Sequence, residues 1–508
     1  MNREKILELV NYLYLGFSVA LQPMNLFYCF LGVLIGTLVG VLPGLGPVAA
    51  MSLLLPATFH TSPVASIIML SGIYYGAMYG GSTTSILVNI PGEAASVMTC
   101  LDGYQMARQG RAGPALGISA FSSFFAGTIG IVGMLLISIP LVNFALRFGP
   151  PEYFSLMVLG LMVLTFLTSA SMLRALMMAA FGLIVGTIGL DNISGLARFT
   201  FNIPELLDGV GLVPVVMGLF GISEVMLNIE MKIRREVFTT EVKGLLPTLA
   251  DWAKSVGPLL RGAVIGFFLG ILPGGGAVIA SFVSYAIEKR VSKHPEEFGK
   301  GAIEGVAAPE AANNSAAQGA FIPLLTLGIP SNVVMAMLLG ALIIHGVTPG
   351  PLLLSQHPDL FWGVVASMYV GNIMLLVLNL HLIGMWVQLL RVPYSILFPL
   401  IILFCLIGAY SINNSSTDVL IMLVFGVIGY LMKKLSLEAA PMVLAFVLGP
   451  MMETALRQSL IKSRGSFSIF FTRPISAACL MLAIALMILP LLPWLRRPGA
   501  ALDHKDAA

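Results

Sequence analysis

Residues 35–50 read IGTLVGVLPGLGPVAA, and residues 265–280 read IGFFLGILPGGGAVIA. At this offset of 230, Ile35/Ile265, Gly36/Gly266, Gly40/Gly270, Leu42/Leu272, Pro43/Pro273, Gly44/Gly274, Gly46/Gly276 and Ala50/Ala280 coincide. A second block, YGGSTTSILVNIPG from Tyr79, aligns with QGAFIPLLTLGIPS from Gln318 at an offset of 239, matching Gly80/Gly319, Ile90/Ile329 and Pro91/Pro330. Gly113-Pro114 and Gly350-Pro351 follow at an offset of 237. Chance between Gly- and Pro-rich segments gives isolated matches. Ordered blocks at a nearly constant offset point to an internal repeat.

The 508 residues around these blocks are 57% hydrophobic and 10% charged, with a mean hydropathy of +0.94. Soluble domains are roughly 25% charged, so the composition excludes one, and its hydrophobicity excludes a disordered chain. A multi-helix integral membrane protein remains. A net charge of +3 without a basic stripe argues against nucleic acid as a partner. Cys29, Cys100, Cys405 and Cys479 are scattered through apolar sequence and read as packing residues. The six histidines form neither HExxH nor HxxxH, so no metal centre or other cofactor is expected. The start, MNREKILELV, carries no small-residue cleavage site, so no removable signal peptide is expected.

Several apolar stretches are shorter than the roughly 20 helical residues needed to cross hydrocarbon, and these cluster at the glycine-proline runs. Breakers in apolar helices are tolerated where protein or a cavity satisfies the freed backbone. The expected fold is therefore an all-α membrane protein of about 12 transmembrane helices, with broken helices or re-entrant hairpins. The excess of Lys and Arg orients it. Loops 230–258 (Lys232, Arg234, Arg235, Lys243, Lys254), 288–300 (Lys289, Arg290, Lys293, Lys300) and 100–113 (Arg108, Arg111) are placed in the cytoplasm. Loops 56–63 and 346–360 carry no Lys or Arg and are placed outside. Equivalent loops of the two copies thus fall on opposite faces, which is an inverted-topology repeat with a midplane solute site. The expected organisation is an interfacial segment 1–25, a first repeat half 26–229, a cytoplasmic linker 230–256, a second half 257–472, a C-terminal transmembrane helix 473–495 and a disordered tail 496–508.

The repeated motifs supply the candidate site. Pro43-Gly44-Leu45-Gly46-Pro47 and Pro273-Gly274-Gly275-Gly276 interrupt apolar helices, either as ligandless tight turns or as sites of exposed peptide groups. In the second case unwound carbonyls suit a cation, and free N–H groups at the next half-helix suit a carboxylate. Ser82, Thr83 and Thr84 put hydroxyls into an apolar region, either toward a solute or back to their own helix carbonyls. Asn89-Ile90-Pro91-Gly92 and Gly328-Ile329-Pro330-Ser331-Asn332 read as further breaks, where Ser331, Asn332 or Glu93 suits a helix N-terminus. Glu310, Asn313, Asn314 and Gln318 share one helix face, as a polar seam or the lining of a solute path, and their repeat mates are Ser71, Tyr74, Tyr75 and Tyr79. No Lys or Arg lies within these central segments, so an anionic solute would rely on peptide groups, hydroxyls, amides and a co-bound cation. Glu310, with Pro43, Pro91, Pro273 and Pro330, is the candidate ion-coupling set.

The segments GVLPGLGPVAAMSLLLP (40–56), YYGAMYGGSTTSILVNIPGEAASVMTCLDGYQMARQGRAGPALG (74–117), GILPGGGAVIASFVSYAIEKR (270–290) and GAIEGVAAPEAANNSAAQGAFIPLLTLGIPS (301–331) resemble the large membrane subunit of the tripartite tricarboxylate transporters, the TctA family. The resemblance implies a multi-pass permease of the bacterial inner membrane, not an enzyme, that imports citrate-like carboxylates by alternating access with Na⁺ as the coupling ion. It implies two partners: a small four-helix membrane subunit (TctB-like) and a periplasmic solute-binding protein (TctC-like). Proton coupling through Glu310 and a passive channel stand as alternatives. An intramembrane enzyme would need a nucleophile–base pair or metal cluster, and neither spacing is found.

Overall fold

The computed structural model describes residues 3–42, 46–167, 171–191, 193–231, 244–274, 276–389 and 394–489. Pro43, Gly44, Gly275, residues 232–243 of the 230–256 linker and the 496–508 tail therefore lie outside the described residues. The first half of the chain runs α1 (Arg3–Ala20), α2 (Pro23–Val41), α3 (Gly46–Leu54), α4 (Pro63–Val88), α5 (Val97–Arg108), α6 (Ala112–Ala145), α7 (Pro150–Leu167) and α8 (Met172–Gly186). A two-stranded ribbon, β1 (Gly189–Leu190) against β2 (Ala197–Arg198), precedes α9 (Leu212–Val216) and α10 (Ser223–Met231), which are joined through a π-helical turn at Met217–Ile222. The second half begins with α11 (Leu249–Ile271), α12 (Gly276–Val291), α13 (Glu304–Gly319), α14 (Phe321–Leu327), α15 (Val333–Ile344), α16 (Leu353–Gln356) and α17 (Pro358–His381). It ends with α18 (Ile383–Leu389), α19 (Tyr394–Asn413), α20 (Ser416–Lys434), α21 (Ala439–Lys462), α22 (Ile469–Thr472) and α23 (Pro474–Ile488). Among the described residues nine helices are long and apolar enough to cross a membrane, and five shorter apolar helices accompany them.

Element order repeats as the sequence does. α2, a break, α3, α4, a break, α5 and α6 match α11, a break, α12, α13 with α14, a break, α15 and α17. Gly46 opens α3 at φ 53° and Gly276 opens α12 at φ 48°, a left-handed start that favours glycine. The second breaks match too: Asn89 ends α4 at φ 56° and Gly328 ends α14 at φ 73°.

Within each copy the leading helix packs on the central one through small residues four apart. A Cβ on Gly32, Gly36 or Gly40 of α2 would stand 2.3–2.5 Å from the carbonyl oxygen of Met69, Ile73 or Ala77 in α4. A Cβ on Gly262, Gly266 or Gly270 of α11 would stand 2.1–2.4 Å from the carbonyl oxygen of Ala308, Ala312 or Ala316 in α13. The same two offsets, 230 and 239, relate every member of these contacts. Between hydrocarbon-soluble helices the driving force is close packing, which small residues permit.

The halves then exchange their long helices. α6 packs on α11 and α13, while α17 packs on α2 and α4. This reciprocity is what a two-fold-related pair requires. It leaves α4 and α13 covered on all sides: Ala65–Leu87 and Gly305–Gly319 are buried throughout. At the periphery α1 leans on α17, with Tyr12 stacked on Trp362 at 4.9 Å.

The ribbon is stapled to α21 by Arg198–Glu453 (2.8 Å) and Arg457–Asp191 (2.7 Å), with Arg457 and Glu453 also paired along α21 (2.7 Å). The Ile193 N–H, the Ser194 hydroxyl and Arg457 hold Asp191 well below the usual carboxylate range, so the staple stays charged at neutral pH. It borders a cavity of about 690 Å³ between α8, α15 and α21.

The packing predicts a sharp contrast between two glycines. Gly266→Val overpacks a backbone contact and should destabilise by about 1–3 kcal/mol or more, read as a lower thermal midpoint in detergent. Gly384→Ala meets open space and should leave the midpoint unchanged or slightly raised. A Gly266→Val protein as stable as its parent would refute the close approach of α11 to α13.

Candidate functional site

Glu310 sits in the first turns of α13 and is fully buried. Its Oε2 accepts from Ser82 Oγ of α4 at 2.5 Å and from Asn313 Nδ2 at 3.5 Å. Its Oε1 accepts from Thr99 Oγ1 of α5. A carboxylate of the second half is therefore held by hydroxyls of the first. Asn314 Nδ2 donates to Asn313 Oδ1 (2.6 Å) and to Ser123 Oγ of α6 (2.8 Å), extending the network across the same seam. Among the described residues neither Glu310 nor Glu93 forms an ion pair with a lysine or arginine.

The mate face on α4 also crosses to the other half, through phenols. Tyr79 OH donates to Asn372 Oδ1 of α17 at 2.5 Å, and Asn372 Nδ2 donates to Phe124 O (2.8 Å) and Thr128 Oγ1 (3.1 Å) of α6. Asn332 Nδ2 donates to Tyr74 OH at 3.4 Å. Gln318 lies two turns beyond Glu310 against Gly130 of α6, with its Oε1 buried and unpartnered.

The breaks flank this network. In the second half Gly274, at φ 78°, donates its N–H to Ser331 O at 2.8 Å, joining the loop before α12 to the loop before α15. Asn332 Oδ1 accepts from Met335 N at 2.9 Å and caps α15, while Ser331 Oγ reaches Ala320 O at 3.5 Å. Pro273 packs on Gly160, and Pro330 is buried. In the first half Thr84 Oγ1 donates to Val41 O (2.7 Å), satisfying a carbonyl freed where α2 ends. Thr83 is buried, Pro91 half-buried and Asn89 exposed. Glu93 Oε1 accepts from Ala95 N at 2.8 Å, capping a short 3₁₀ turn in a capping box with Ser96.

The structure thus gathers Glu310, Asn313, Asn314 and Ser82, and separately Gly274, Ser331 and Asn332. It keeps Asn89 and Gln318 apart from Glu310. Sequence reading missed Thr99, Ser123 and Asn372. Ser119, Ser122 and Ser123 repeat at helical spacing along α6, a polar face that could have announced the seam. Thr99 carries no such signal. Chemically, a buried carboxylate ringed by hydroxyls and amides can take up a proton or hold a small hard cation through oxygen ligands. It offers no positive side chain for an anion.

A family model for the tripartite tricarboxylate transporter TctA family matches residues 26–444. An uncharacterized 52.8 kDa protein encoded in the TAR-I ttuC' 3' region of Agrobacterium vitis is 52% identical over 491 residues, covering 97% of this chain and 98% of the relative. An uncharacterized protein from the TAR-II ttuC' 3' region of the same organism is 55% identical over 231 residues, covering 46% of this chain and 96% of the relative. No solved structure matches. With most of its length inside the family model and a relative of the same extent sharing half its residues, the multi-pass helical chain belongs to the tripartite tricarboxylate transporter TctA family.

Proposed function

We propose that the chain is the permease subunit of a binding-protein-dependent secondary transporter. It imports tricarboxylates or related citrate-like carboxylates across the bacterial inner membrane. Transport is driven by a cation gradient, with Na⁺ as the coupling ion, through alternating access between two inverted repeats. The small four-helix membrane subunit and the periplasmic binding protein complete the system. The observation that carries this reading is Glu310. A carboxylate buried at the contact of two exchanged halves, with no basic partner among the described residues, is a site a cation fits. The Ser82 and Thr99 hydroxyls supply further oxygens.

The solute's carboxylates are assigned to the broken-helix loops: Gly44 and Gly46 in the first half, and Gly274–Gly276, Ser331 and Asn332 in the second. The cation offsets charge that the protein's side chains do not. Proton coupling through Glu310 is the second reading, favoured by the hydroxyl cup, which serves a protonated carboxyl as well as an ionised one.

Proteoliposomes holding all three components should accumulate citrate or a related acid under an inward Na⁺ gradient at constant pH. Accumulation that follows the pH gradient at constant Na⁺ selects the proton reading, and uptake indifferent to both gradients overturns coupling. Glu310→Gln should reduce gradient-driven uptake about tenfold or more, equivalent to about 1.4 kcal/mol of ion binding. Uptake at the parent rate would remove Glu310 from the ion path. Gly274→Val drives a Cβ to 2.4 Å from the Leu164 Cα and should abolish uptake while membrane insertion, read by fractionation, persists.

A further inference from the structure

Asp102 lies on α5, one turn beyond Thr99, and is fully buried. Its Oδ1 accepts three backbone N–H groups of the second half, from Gly299 (2.8 Å), Gly301 (2.8 Å) and Ala302 (2.9 Å). Its Oδ2 accepts from Tyr285 OH of α12 at 2.8 Å. The loop is wound for this purpose: Gly299 and Gly301 take φ of 84° and 108°, which turns successive N–H groups inward onto one anion. Such charge-assisted bonds are roughly twice as strong as neutral ones.

The contact is not isolated. Gln109, at the end of α5, donates from Nε2 to Lys300 O at 2.8 Å. Arg111 pairs with Asp251 at the start of α11 at 2.5 Å. Thr99 donates to Glu310 on α13. The twelve-residue α5 with its C-cap residue Gln109, and Arg111 at the N-cap of α6, thus grip the second half at Glu310, at the entrance to α13, and at the head of α11. The duplication does not repeat this grip. At the 239 offset the mate of Asp102 is Ala341, and at the 237 offset that aligns Gly113 with Gly350 the mates of Gln109 and Arg111 are Gly346 and Thr348, with no charged group among them.

We propose that Asp102 is a positioning residue for the Glu310 site and the catch of a one-sided latch between the halves, closed in this conformation and opened in each transport cycle. The proposal rests on the alternating-access reading. In that reading the loop before α13 parts from α5 at one face while the other face closes. A polar catch at one face and none at the other makes the two states unequal. Water can replace the catch when it opens, because Gly299 and Lys300 lie on an exposed loop. Shared placement on α5 couples the events: movement of Asp102 away from the loop also withdraws Thr99 from the Glu310 carboxylate.

The test uses Gln109→Cys/Lys300→Cys, two exposed positions beside the catch that leave Asp102 intact. In proteoliposomes of the complete three-component system, with citrate and NaCl as probes, cross-linking this pair should lower uptake at least tenfold, and reductant should restore it. Cross-linked protein that transports at the parent rate overturns the latch while leaving the transport reading in place. Parent protein that accumulates no citrate under any gradient instead defeats the citrate reading.

A second readout needs no transport. Native Cys100, buried on α5 between Thr99 and Asp102, should react with a membrane-impermeant maleimide, followed by peptide mass spectrometry. The rate should rise at least tenfold in Asp102→Ala, and fall at least tenfold on cross-linking the 109/300 pair. Equal rates in all three proteins overturn the proposal. A purely structural clamp lowers the thermal midpoint of Asp102→Ala without making Cys100 labelling sensitive to the cross-link.

Discussion

Polar side chains at the centre of a membrane protein must be satisfied by protein, and this constraint organises the rest of the molecule. α4 and α13 carry Ser82, Thr84, Glu310, Asn313 and Asn314, which hydrocarbon would not tolerate. They are sustained because no face of either helix is left open. That enclosure depends on the glycine stripes of α2 and α11, which bring one covering helix to backbone contact. The exchanged helices α6 and α17 then close the opposite side. Replace the stripes with larger residues and the central helices lose their cover before any site chemistry is touched.

The enclosure is symmetric in backbone and asymmetric in chemistry. Positions Glu310, Asn313, Asn314 and Gln318 correspond to Ser71, Tyr74, Tyr75 and Tyr79. On the amide-rich face the second half offers a carboxylate to hydroxyls of the first. On the phenolic face the first half offers Tyr74 and Tyr79 to Asn332 and Asn372 of the second. Each half therefore supplies partners to the other, although Ser71 Oγ and Gln318 Oε1 stay unpartnered, and of the two faces only the amide-rich one carries a carboxylate.

What could be read in the sequence was whatever is local in the chain. The glycine-proline runs announced the breaks because φ > 0 and missing donors are properties of single residues. The breaks fall where the repeat put them, at Asn89–Gly92, before Gly276 and at Gly328–Ser331. The family followed from long contiguous blocks, and the family model agrees. The shared face of Glu310, Asn313 and Asn314 was legible from helical periodicity. Its partners were not. Thr99 stands 211 residues from Glu310, and Asp102 stands 197–200 residues from the amides it gathers. Single hydroxyls and a lone aspartate in a mixed segment carry no periodic signal, so only the fold could reveal them.

Two of the residues the sequence did not disclose explain each other. Thr99 and Asp102 are one turn apart on α5, so a single rigid element touches the Glu310 carboxylate and the loop that introduces its helix. Ser82 on α4 and Thr99 on α5 both belong to the first half, so displacement of the second half withdraws both hydroxyls from the Glu310 carboxylate together. With α5 and α6 adding grips from the same side, the cup exists only while the halves are engaged. The ligand field around Glu310 is thus a property of the conformation rather than of the sequence around it. This is the physical requirement for an ion to be bound in one state and released in another.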